Sequence, residues 1–217
     1  MMKKTAVVIG ATGLIGRALV GELLAQKSIS KVITLTRRKL IIDNDKFENY
    51  QVDFSHLDQT ETYFENADFL FSCLGTTKKD AGSIKNQRVV DLDYQYQIAE
   101  IAYRSGVEQY FLVSSSGASA SSLSPYLKMK GELEEEVIAL GFKRCVIFQP
   151  SLLLGERETQ RPGEFFAGHI MPLLAYIPLL KRFRPITGGE VAQKMTLVAT
   201  HNSQSAGVAF YALDEIF

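Results

Sequence analysis

The stretch Thr5-Ala6-Val7-Val8-Ile9-Gly10-Ala11-Thr12-Gly13-Leu14-Ile15-Gly16 leaves this chain few folds to choose from. A β-branched apolar run meets three glycines spaced three apart, and apolar positions then recur at Ile15, Leu19 and Leu23. A short apolar run followed by an i, i+4, i+8 stripe predicts strand, tight turn and helix, with the glycines in the turn. Such a unit gathers bare backbone N–H groups and a helix N-terminus at one point, which suits a pyrophosphate. Gly10 allows the sharp turn, Gly13 lets phosphate approach without meeting a Cβ, and Gly16 lets helix pack close to strand. Ala11, Thr12, Leu14 and Ile15 complete the candidate cradle.

Strand and helix patterns alternate downstream. Residues 31–36, 50–53, 69–74, 110–113 and 144–149 read as strands. Val90, Tyr94, Ile98 and Ile101 mark one helical face that stops near Gly106, and Leu133, Val137 and Leu140 another that ends at Gly141. Ser124-Pro125 reads as an N-cap with proline in the first turn. A helix over 189–201 and a strand over 208–211 finish the chain. Near-continuous apolar strands alternating with helices imply an α/β fold, a doubly wound, Rossmann-like parallel sheet covered on both faces. The expectation is one domain over 1–217, with 150–185 and the C-terminal segment on the side where ligands of such sheets bind.

Composition narrows the partners. With 24 basic and 24 acidic residues the chain has no net field to draw nucleic acid or an anionic membrane. No apolar stretch reaches membrane-span length, and the opening Met1-Met2-Lys3-Lys4 is followed by glycines rather than a cleavage site, so no leader is expected. Two cysteines, Cys73 and Cys145, argue against a disulfide framework and for a reducing compartment, read as the cytoplasm. Cys73 is expected as a buried strand thiol. His56, His169 and His201 lack ligand spacing, so no metal is expected. The apolar run 170–180, broken by Pro172 and Pro178, is expected as a wall or lid for an apolar small molecule, with a partner contact or a membrane surface as alternatives. Lys78-Lys79 reads as a solvated loop and Glu134-Glu135-Glu136 as a solvated helix edge.

Nicotinamide dinucleotides are told apart at the end of the second strand, where an acid holds a ribose hydroxyl and an arginine accommodates a 2′-phosphate. Arg37 stands 21 residues after Gly16, with Arg38 beside it and no carboxylate before Asp43. A guanidinium grips a phosphate in a fork, so the expected cofactor is NADP(H). Asp53 is a candidate acceptor for the adenine amino group and Phe54 a flank for the ring. Leu74, Gly75 and Thr76 let the ribose pass close to the backbone.

Tyr126 and Lys130 lie four apart on a predicted helix, hence on one side of it, and Tyr126 follows Ser115 by 11 residues. Hydride transfer to a carbonyl leaves an alkoxide that needs a proton. A free tyrosine titrates near pKa ~10, and a neighbouring lysine cation moves it toward the useful range. Ser115 would donate to the substrate oxygen.

The chain resembles the short-chain dehydrogenases/reductases, and more narrowly their atypical NADP(H)-binding, Tat-interacting oxidoreductase-like subgroup. The resemblance covers nearly the whole chain. It rests on Gly10–Gly16, Thr36-Arg37-Arg38-Lys39-Leu40, Cys73-Leu74-Gly75-Thr76-Thr77, Ser114-Ser115, Tyr126-x-x-x-Lys130-Gly131-Glu132 and Arg161-Pro162-Gly163-Glu164. It implies Ser115, Tyr126 and Lys130 as the catalytic trio, Tyr126 and Lys130 also touching cofactor, and Pro150, Leu152 and Leu153 against the nicotinamide amide. Between Ser114 and Ser115, strand spacing in related proteins favours Ser115. One departure stands out: Asp91 occupies the place of an asparagine that supports a proton relay in much of the superfamily. The expected function is NADP(H)-dependent hydride transfer to or from a small carbonyl or alcohol. The alternative is a non-catalytic NADP(H)-binding regulator acting through protein partners.

Overall fold

The apolar run becomes β1 (Lys4–Ile9) and the stripe after it α1 (Leu14–Ala25) in the computed structural model, which describes residues 3–154, 184–201 and 206–216. Arg161–Glu164, His169 and the 170–180 run lie outside the described residues. The chain continues through β2 (Ile29–Thr36), β3 (Phe47–Gln51), a 3-10 segment Leu57–Phe64 and β4 (Phe69–Ser72). Two short helices follow, α2 (Lys78–Ala81) and α3 (Ile84–Arg88), then a π-helical turn Val89–Asp93 leading into α4 (Tyr94–Arg104). After these come β5 (Gln109–Val113), α5 (Pro125–Ala139), β6 (Arg144–Gln149), β7 (Leu153–Leu154), β8 (Ile186–Thr187), α6 (Gly188–His201) and β9 (Gly207–Ala212).

Seven strands form one sheet in the order β3-β2-β1-β4-β5-β6-β9, every neighbouring pair parallel. The order reverses between β1 and β4, and in such sheets ligands bind outside the carboxyl ends at that switch. Strand alternation divides the core. Ala6, Val8, Phe69, Phe71, Phe111, Val146 and Phe148 point to the face covered by α1 and α6. Val7, Ile9, Leu70, Tyr110, Leu112, Cys145 and Ile147 point to the face covered by α4 and α5.

Several local expectations shift. The third strand runs Phe47–Gln51 rather than 50–53, because it is a half-buried edge without an apolar run. Its Asn49 amide donates to the Thr34 and Thr36 hydroxyls, and Glu48 pairs with Lys31 at 2.7 Å. The fourth strand stops at Ser72, which leaves Cys73 just past it and only partly buried. Lys78 and Lys79 are exposed, as expected, yet they open a helical turn capped by the Thr77 hydroxyl. Ser124 stands at the start of α5 but its side chain makes no capping bond; Pro125 fills the first turn. Among the described residues no helix is long and apolar enough to cross a membrane.

Candidate functional site

The glycine turn has the conformation the motif requires. Gly10 sits at φ +77°, and a Cβ there would lie 2.4 Å from the Cys73 carbonyl. A Cβ on Gly16 would lie 2.2 Å from the Gly10 carbonyl oxygen, so α1 rests directly on the turn. Gly13 differs: it is exposed, and its missing Cβ would meet only the Gly10 oxygen at 3.3 Å. The protein's own packing asks little of Gly13, so the room it leaves faces outward. Gly13 is also the N-cap of α1, with no side-chain cap and no acidic residue in the first turn. The first N–H groups of a helix have no intrahelical partner, and here they open onto that room. Thr12 beside them is exposed, while Ala11 and Ile15 are buried anchors and Leu14 packs under Gly188.

Just past the carboxyl ends of β2 and β3 lies an open cavity of about 800 Å³ lined by Arg37, Gln51, Val52, Asp53, Phe54, Asn86, Val89, Val90 and Tyr94. Arg37 and Arg38 are exposed, and neither guanidinium is engaged by another described side chain. Phe54 is buried against Tyr94, ring centroids 5.6 Å apart. Asp53 is exposed and turned onto its own loop. One carboxylate oxygen accepts from the Ser55 hydroxyl and N–H and the other meets His56, which together hold the carboxyl down at about 2.

Strand parity builds the rest. Leu70, Leu112 and Ile147 face α4 and α5, and two residues further on the same face come Ser72, Ser114 and Gln149, where each strand ends in a polar group. The Ser72 hydroxyl donates to Gln95 at 2.7 Å, and the Gln95 amide donates to the Asp91 carbonyl at 2.7 Å. Ser114 donates to Glu134, which also accepts from Gln149 at 3.0 and 3.1 Å. Burial pushes the Glu134 carboxyl up, against the pull of those two donors and of Lys130. Parity thus sends Ser114 into the interior and leaves Ser115, half-buried, at the mouth.

Glu134 is not part of a solvated edge. It is 7% exposed while Glu135 beside it is open to solvent. The acidic run hid this, although Glu134 follows Lys130 by four residues just as Lys130 follows Tyr126. Tyr126 is half-buried and its hydroxyl has no hydrogen bond among the described residues. Lys130 is buried: its ammonium lies 3.5 Å from Asp91 Oδ1 and 3.5 Å from the Val113 carbonyl oxygen. The other Asp91 oxygen accepts from the Thr76 N–H at 3.1 Å. A Cβ on Gly75 would lie 3.2 Å from Asp91 Oδ1, so the missing side chain of Gly75 leaves room for this carboxylate. Leu74 packs half-buried against the core on the α4 and α5 face. Desolvation pushes the Cys73 thiol up to about 12 despite Lys130 nearby, so it stays protonated and unreactive.

Pro150 is buried, and its carbonyl accepts from the Ser116 N–H at 3.0 Å. Leu152 and Leu153 follow, bonded to Ile186 through the small β7–β8 ladder. Gly131 was visible only as part of a motif; a Cβ there would lie 2.2 Å from the Ser119 backbone carbon. The loop after β5 therefore lies directly on α5. Gly131→Ala is expected to cost about 1–3 kcal/mol, as overpacking does, read as a lower urea midpoint at unchanged slope.

Comparisons with known proteins bear on the family and the fold. Residues 10–164 match the NAD(P)H-binding protein family. Protein HTATIP2 of Rattus norvegicus is 41% identical, over 77% of this chain and 70% of its own. The mitochondrial protein FMP52 of Candida glabrata is 35% identical, over 100% of this chain and 95% of its own. MoeE5, solved with UDP-glucuronic acid and NAD, superposes at a TM-score of 0.72 with 19% identity, over 96% of this chain and 76% of its own. The FMP52 relatives, that of Saccharomyces cerevisiae included, are named as mitochondrial, which overturns the cytoplasmic expectation. A low cysteine count reports a reducing environment and carries no address within the cell. Matched along most of its length by the family's sequence pattern and carrying the uncapped glycine turn that such a nucleotide needs, the chain belongs to the NAD(P)H-binding Rossmann-fold family.

Proposed function

We propose that the chain is an NADP(H)-dependent oxidoreductase acting on a small, apolar carbonyl or alcohol. The observation that supports this reading is a buried Lys130, ion-paired to Asp91 and one helical turn after Tyr126 on α5, the helix that follows β5 and Ser115 in the sheet whose β1 leads into the glycine turn. A nicotinamide dinucleotide bound here would supply or take the hydride. The uncapped N-terminus of α1 would hold its pyrophosphate, and Pro150, Leu152 and Leu153 would lie against the nicotinamide amide. Ser115 donates a hydrogen bond to the substrate oxygen and steadies charge developing there. Tyr126 gives its hydroxyl proton to that oxygen, or takes one in the reverse direction, and Lys130 stabilises the phenolate left behind. Ser114 has no part in this, because its hydroxyl is committed to Glu134.

Arg37 and Arg38 support the phosphorylated cofactor: Arg37 lines the cavity and Arg38 follows it, neither guanidinium is engaged among the described residues, and the acid that lines the same cavity, Asp53, is bound up in its own loop. The Asp53 and Phe54 backbone and ring are left to flank the adenine. Arg37→Asp is expected to weaken NADPH binding about 10- to 100-fold, the loss of one charge-assisted phosphate contact, and to leave NADH nearly unchanged. Equal losses for both dinucleotides would remove the assignment. The reaction itself is tested by following NADPH oxidation against a panel of small aldehydes and ketones. Saturable turnover with an apolar member is expected, whereas tight NADPH binding without turnover of any would favour a regulator that reads the cofactor.

A further inference from the structure

Lys130 is set to act as a cation beside Tyr126, yet its nearest charged group is a carboxylate. The Asp91 and Lys130 side chains are 1% and 4% exposed, so water does little to screen one from the other. Among the described residues three ionisable groups lie against this ammonium: Asp91 from the π-helical turn, Cys73 from the end of β4 and Glu134 from α5 itself. Tyr126 stands one helical turn before Lys130 on α5 and so on the same side of it. Cys73 is a neutral thiol at ordinary pH, and Glu134 spends its oxygens on Ser114 and Gln149. Asp91 is thus the group that opposes the lysine, and the Thr76 N–H pins it in place.

Resting on the oxidoreductase reading, we infer that Asp91 is a positioning residue that holds Tyr126 in its protonated form, setting the site to donate a proton and so to reduce carbonyls near neutral pH. With Asp91 ionised, losing a proton from the Tyr126–Lys130 pair takes a buried cluster from neutral to net negative. With a neutral residue at 91, the same loss takes it from net positive to neutral, which is the easier step. The turn geometry supports a specific role. A π-helical turn admits one more residue than the α-helix around it, and here it aims Asp91 inward while α3 and α4 continue on either side.

The test titrates Tyr126 directly in full-length protein with ring-labelled tyrosine, its NMR signal assigned by its absence in Tyr126→Phe, both free and saturated with NADP+. In Asp91→Asn the Tyr126 midpoint is expected to fall by about 1 pH unit or more, since taking a negative charge out of a buried cluster favours the phenolate by that order. Asp91→Glu is expected to stay near the wild-type midpoint, and Asp91→Ser reads the same fall should the amide variant not fold. In the pH–rate profile, carbonyl reduction by Asp91→Asn is expected to fade at correspondingly lower pH. A midpoint that is unmoved or higher overturns the inference, because a purely structural loss would lower activity at every pH without shifting the curve. Absence of turnover in the wild type counts against the oxidoreductase reading alone, since the titration judges Asp91 without substrate.

Discussion

Tyr126→Phe is expected to lower carbonyl turnover by about 10²- to 10⁴-fold, the contribution of a positioned general acid, with NADPH affinity changed little. The size follows from position. On the proposed reading Lys130 and Ser115 offer the substrate oxygen charge and a hydrogen bond, and the half-buried phenol hands over the proton. Its hydroxyl has no partner among the described residues, so removing it orphans no polar group among them. Stability is therefore expected to stay within about 0.5 kcal/mol of wild type. Steady-state rates with fluorescence titration of NADPH check both halves. Equal losses in binding and turnover would mean the ring positions cofactor and moves no proton.

Lys130→Met is expected to produce the largest change in stability, about 3–5 kcal/mol, because it strands Asp91 as a buried, uncompensated charge. For a domain of this size the melting temperature would fall on the order of 10 °C. The double variant Lys130→Met, Asp91→Asn removes both charges and is expected to recover most of that loss, since neutral partners bury at less cost than one lone ion. Urea unfolding of the three proteins gives the coupling. If the double variant is no more stable than Lys130→Met, the pair's 3.5 Å approach does not carry the stability assigned to it. The single variant's pH dependence has a definite sign. Protonating Asp91 relieves the stranded charge, so Lys130→Met is expected to regain stability relative to wild type as pH falls.

Much of this was legible without coordinates. Backbone chemistry is local, and the run of β-branched residues into Gly10, Gly13 and Gly16 states strand, turn and helix in a dozen positions. Parallel topology followed from apolar strands alternating with helices, because only sheets covered on both faces have strands like 69–72 or 144–149. The short two-stranded β7–β8 ladder was not legible, since its partners lie on either side of residues 155–183 and share only two register pairs. β3 was misplaced for the same reason: its place comes from neighbours such as Thr34 and Lys31, not from its own pattern.

The sequence by itself determined which chemistry was on offer: a nucleotide-holding turn, two arginines at a strand end, and a tyrosine–lysine pair on one helical face. Each is written in short spacings, where i, i+3 and i+4 relations bind neighbours together whatever the rest of the chain does. Only the tertiary structure decided which polar groups are buried and against whom. Glu134 looked like one of three solvated acids until strand parity brought Ser114 and Gln149 onto it. Asp91 looked like a missing asparagine until the close approach of 75–76 and α5 made it the counter-charge of Lys130. Those partners stand 15 to 39 residues away in sequence, and electrostatics in a dry interior depends on distance in space, which no local pattern encodes.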